Sequence, residues 1–67
     1  MFKMTLDEML AKIRAAGLGD IEEVQTESRV IELRGLIRRA RKIGEPEYDR
    51  KAEKMEAELD AIMARFE

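Results

Sequence analysis

A chain of 67 residues makes one small domain, and so short a chain leaves its own core marginal and in need of a supplement such as association with a partner. Cysteine and histidine are both absent, which excludes disulfide staples, thiolate or imidazole metal sites and the usual general bases near neutral pH. Charged residues make up 42 % of the chain, thirteen basic against fifteen acidic for a net charge of −2, spread at helical spacing, a balance that favours solubility and gives no general attraction to polyanions.

Apolar residues, at 45 %, are too many for a disordered chain, and no uncharged run approaches the length needed to span a bilayer. The opening Met1-Phe2-Lys3-Met4 lacks the apolar stretch of a secretory leader, so a cytoplasmic location is the expectation.

Thr5-Leu6-Asp7-Glu8 has the spacing of a capping box, in which Thr5 and Glu8 each satisfy a backbone amide at a helix start, with Met4 and Met9 placed as a hydrophobic staple. Leu6, Met9, Leu10, Ile13 and Ala16 then share one apolar face. Gly17 followed by Leu18 reads as a C-terminal cap with Leu18 folded back towards Ile13, which predicts a first helix over 6–16.

Asp20-Ile21-Glu22-Glu23 reads as a second box of the same kind and opens a helix over 20–43. On a helical wheel Val30, Leu33, Leu36, Ile37, Ala40 and Ile43 share one face, while Ile21, Val24 and Ile31 fall roughly opposite. Two versions of this helix are open: one continuous, the other broken near Thr26-Glu27-Ser28, residues able to cap a new start. Gly35 in its middle weakens the helix by about 1 kcal/mol relative to alanine and suggests a close helix approach.

Gly44 closes this element and Pro46 stands at the first position of the next, where its missing amide hydrogen costs nothing. Tyr48, Ala52, Met55, Leu59, Ile62 and Phe66 recur at alternating steps of four and three through 46–66. That stripe is an a/d seam seeking another helix. The short connection folds the last two helices into an antiparallel hairpin with Ala40 near Ala52, Ile37 near Met55, Leu33 near Leu59 and Val30 near Ile62. The expected fold class is therefore all-α: a coiled-coil-like antiparallel helical hairpin with a short N-terminal helix, dimerising through apolar residues left outside the seam, namely Ile21, Val24, Ile31 and Met63. A monomeric three-helix bundle, with the first helix covering all of these, is the plainer alternative.

Arg34, Arg38, Arg41 and Lys42, with Arg39 beside them, form a basic row that could hold an anion, since guanidinium groups match phosphate oxygens. Asp49, Glu53, Glu56 and Asp60 form an acidic row on the following helix, and mutual neutralisation of the two rows is the simpler expectation. With a broken second helix the order would resemble a helix-turn-helix unit carrying a basic helix over 29–43. Acidic overall charge and the scarcity of amide side chains for reading base edges argue against nucleic acid as the partner.

Gly17-Leu18-Gly19-Asp20 resembles a fragment of a phosphate loop, but no strand precedes it and Asp20 would repel phosphate. Thr26, Ser28, Tyr48 and Lys51 are the available nucleophiles, and no histidine is present to activate them. No catalytic residue, cofactor or metal ligand is expected. Met9, Met55 and Met63 suit a core or an adaptable binding face. The composite expectation is a small non-enzymatic module that binds another protein, itself or both, as a stoichiometric regulator, adaptor or inhibitor.

Overall fold

A computed structural model describes residues 4–66, so the expectation drawn from Met1, Phe2 and Lys3 lies outside the described residues. Three α-helices account for the fold, α1 (Leu6–Ala16), α2 (Asp20–Ile43) and α3 (Pro46–Ala64), with no strand among the described residues. None of the described helices is long and apolar enough to cross a membrane.

The start of α1 is set by Thr5, whose Oγ1 accepts from the Glu8 amide at 3.2 Å. Glu8 does not complete the box on the backbone. Its carboxylate instead accepts from the Thr5 hydroxyl at 3.2 Å. The second predicted box does not form. Gly19, at φ 94°, is the cap residue and offers no side chain, while Asp20 stands inside the first turn of α2. Asp20, Glu22 and Glu23 still favour this end because carboxylates there face the positive pole of the helix dipole.

The α2 helix runs unbroken for 24 residues. At the suspected break, the Thr26 hydroxyl donates to the Glu22 carbonyl at 2.8 Å, so its hydrogen-bonding capacity is spent within the helix rather than on capping a new one. A helix-turn-helix unit needs that break, and the geometry it requires is absent. The link to α3 is two residues, Gly44 and Glu45, and Gly44 takes φ 73°, a left-handed conformation that costs a side-chain-bearing residue roughly 1–2 kcal/mol. So tight a link turns α3 back along α2. The cross-helix ion pairs give the antiparallel direction independently, because Glu22 meets Arg65, Arg29 meets Glu58 and Arg41 meets Asp49. The α3 helix ends at Ala64, two residues before the predicted 66, with Arg65 as its cap and Phe66 just beyond.

The core is built where all three helices meet. Met9, Ile13, Val30, Leu33 and Leu59 are fully buried, Met63 is 3 % exposed, and Leu18, Ile37, Met55, Ile62 and Phe66 pack against them. Burying side chains of this size stabilises by about 1.5–3 kcal/mol each, so these few residues carry most of the fold.

Two expectations are corrected here. Met63, expected among the leftover surface residues, is 3 % exposed and belongs to the core cluster with Met9 and Ile13. Leu36 and Ile43, expected on the hairpin-facing side, are 38 % and 51 % exposed, and Ala16 is exposed as well. The reason is reach. An eleven-residue α1 is about 16 Å long against roughly 36 Å for α2, so it covers only the open end of the hairpin. The packing of three helices is that of a bundle or hairpin, but α1 does not cover every apolar residue, since Ile21, Val24 and Ile31 stay 77 %, 57 % and 51 % exposed.

Candidate functional site

Of the seam residues, Val30, Leu33, Ala40, Ala52 and Leu59 are buried between the helices, and Ile37, Tyr48, Met55, Ile62 and Phe66 are half-buried at its margins. The residues of the basic row have different surroundings. Arg41 is turned onto α3, where Nε and Nη2 donate to Glu56 Oε1 at 3.2 and 2.5 Å and Nη1 lies 3.8 Å from Asp49. The hydrogen bonds to Glu56, with the charges of Glu56, Asp49 and Glu53 behind them, hold this guanidinium above its ordinary basicity. Arg34 is half-buried beside Leu6, Ile31, Gly35 and Arg38, with which it lines a shallow trough of about 220 Å³. Arg38, Arg39 and Lys42 remain on the surface of α2. Neutralisation between the two rows is seen at Arg41, which meets Glu56 and Asp49.

Further ion pairs join the helices at residues the sequence did not single out. Arg29 donates through Nε to Glu58 Oε2 at 2.6 Å and through Nη2 to Oε1 at 2.9 Å, a two-pronged grip, and its third nitrogen bonds Glu32. The bond from Arg29 keeps the Glu58 carboxyl below its usual range. Arg14 reaches from α1 to Glu27 at 2.7 Å. Extending the Ala40 to Ala52 pairing along the hairpin sets Arg29 level with Met63 and not with Glu58, so that register alone does not point to this bond.

The hairpin's closed end carries an open groove of about 460 Å³. Its floor is Leu36, Ala40 and Ile43 from α2 with Tyr48 and Met55 from α3, and α1 contributes nothing to it. The charged residues lining it are Arg39, Lys51 and Lys54, all cationic, and no carboxylate lines it. Lys51 sits with Nζ 5.1 Å from the Tyr48 ring centroid, a cation–π distance, and 3.9 Å from Glu47 one turn earlier. Tight turning at Gly44 creates this site by placing the basic end of α2 against Lys51 and Lys54, in a chain that is acidic overall.

Among the described residues no buried side-chain polar atom lacks a partner and no cluster of three or more potential ligands could hold a metal ion. Of the candidate nucleophiles, Thr26 is bonded to the backbone, Ser28 is exposed, and Tyr48 and Lys51 face each other in the groove. The arrangement is suited to holding an apolar object with negative flanks. No protein-family model matches the sequence, and no curated protein and no solved structure is similar to it.

Proposed function

We propose that this chain acts by stoichiometric binding of another protein, and that the groove at the closed end of the hairpin takes an amphipathic helix with apolar anchors and acidic flanks. One observation carries the reading: an open apolar groove in which Leu36 and Ile43 stay exposed, lined by Arg39, Lys51 and Lys54 with no acidic residue among its lining residues. Leu36 and Ile43 would be buried by such a ligand, which supplies the favourable free energy. The cations would select acidic flanks and orient them, in the helix-in-groove mode of recognition. The role is that of a regulator, adaptor or inhibitor, with no chemistry of its own. A phosphorylated ligand held by the arginine row is less well supported, because Arg41 is already engaged by Glu56 and Asp49.

Fluorescence anisotropy tests this with two labelled helical peptides that share leucine anchors at i, i+4 and i+7, one flanked by glutamate and the other by lysine. The acidic peptide is expected to bind with at least about tenfold preference, weakening as salt is raised. Arg39→Glu and Lys54→Glu should each reduce its affinity severalfold while leaving the helical circular dichroism unchanged. Equal affinity for both peptides, or none for either, overturns the reading.

A further inference from the structure

We propose that a second copy of this chain pairs with the first along the outer side of α2, the two α2 helices running antiparallel about a two-fold axis near Ile31. The surface is separate from the groove at the closed end, and this inference does not depend on what that groove binds.

A second seam lies on α2. Ile21, Val24, Ser28, Ile31, Gly35, Arg38 and Lys42 recur at alternating steps of three and four, and every one is exposed. The buried positions Val30, Leu33 and Ala40 face the other way, towards α1 and α3. A heptad repeat on the solvent side of a helix contributes nothing to the folded monomer. It is the pattern by which one helix lies along another.

The direction of pairing follows from what each half of the seam contains. Its first half is apolar, with Ile21, Val24 and Ile31, and its second half is Gly35, Arg38 and Lys42. Charge is polarised the same way: residues 20–27 hold four acidic residues and no basic one, and residues 34–43 hold five basic residues and no acidic one. A parallel pair would set Arg38 against Arg38 and Lys42 against Lys42. An antiparallel pair lays Ile21 and Val24 along the methylene stems of the other copy's Lys42 and Arg38, whose charges reach past them to Asp20 and Glu23. Arg38, Lys42, Asp20 and Glu23 have no ion pair of their own among the described residues. The helix dipole alone would favour acids early and bases late, but it gives no reason for the exposed apolar heptad positions between them.

Gly35 supplies a second, independent observation. It is exposed, in ordinary helical conformation, and a Cβ built on it would meet nothing within 4 Å. Nothing inside the monomer requires glycine there, where alanine would make a better helix. In the antiparallel register Gly35 faces Ser28, and two small side chains at that point let the backbones approach closely. The shallow trough lined by Leu6, Ile31, Arg34, Gly35 and Arg38 lies at the middle of this seam and would receive the other copy's Ile31.

Because the chain has no cysteine, single replacements report the register directly. Under mild oxidation Ile31→Cys should cross-link to itself rapidly, since the two-fold axis brings the copies of residue 31 within the roughly 4.4–6.8 Å between Cα atoms that a disulfide spans. Ile21→Cys should not link to itself but should link to Lys42→Cys when the two variants are mixed. High salt should slow both reactions, as should Gly35→Leu introduced beside the cysteine. Self-linking of all three single variants at similar rates would mean parallel or random contact and would overturn the proposal. So would failure of Ile31→Cys to link in a sample that sedimentation shows to be monomeric at about millimolar concentration, where even weak pairing is visible.

Discussion

Arg29 bridges two helices with a single side chain. Its guanidinium spans from α2 to both oxygens of Glu58 on α3, and the bond keeps that carboxyl ionised to lower pH than usual. A carboxyl whose folded pKa lies below its unfolded one stabilises the fold fully above the ordinary carboxylate range, and the contribution fades as pH falls through the lowered folded value. The urea midpoint of the wild-type chain should therefore drop on acidification through and below that range, and Glu58→Gln should flatten the drop. Because both partners are about half exposed, the difference will be small and should shrink with added salt. Superimposable pH profiles for the two proteins would show that the pair carries no stability. The pair was hard to read from the sequence because charged residues occupy nearly every exposed position. Only the cross-helix register decides which of them meet, whereas the row of Arg34, Arg38, Arg41 and Lys42 is visible from spacing along one helix alone.

Among the elements, the three helices, all-helical content and short links were written in local chemistry. Thr5, Gly17, Gly44 and Pro46 each mark a boundary by a rule that needs no tertiary information. Two features were not local. Thr26 offers a cap or an internal bond to the turn before it, and which it makes depends on whether Val30 and Leu33 can stay in line with the buried face. The exposure of Leu36 and Ile43 depends on how far α1 reaches, and a helical wheel shows direction but not length. The α1 helix matters beyond its size because Met9 and Ile13 are fully buried in one cluster with Val30, Leu33, Leu59 and Met63. A two-helix hairpin has little stability of its own, so the three elements should melt as one unit. Ile13→Ala should cost about 2–5 kcal/mol, enough to abolish most of the cooperative urea transition of a domain this small. A variant in which only the signal of α1 is lost, while α2 and α3 unfold at the wild-type midpoint, would show that the hairpin stands alone.

At the scale of the whole molecule, a short α1 on a long hairpin leaves two different surfaces uncovered. One is the outer side of α2, where apolar and charged residues repeat by heptads and match their own reverse. The other is the closed-end groove, where an apolar floor meets a wholly cationic rim. The sequence showed that apolar residues would be left over, naming Ile21, Val24 and Ile31. It did not show the groove, because that depends on Arg39 from α2 and Lys51 and Lys54 from α3 lining one opening. Amide chemical-shift mapping of the isotope-labelled protein titrated with the glutamate-flanked helical peptide tests this groove most directly, residue by residue. Saturable shifts are expected at Leu36, Arg39, Ile43, Tyr48, Lys51 and Met55, with Ile21, Val24 and α1 unmoved. Shifts absent at excess peptide, or centred on α1 or the start of α2, would contradict it.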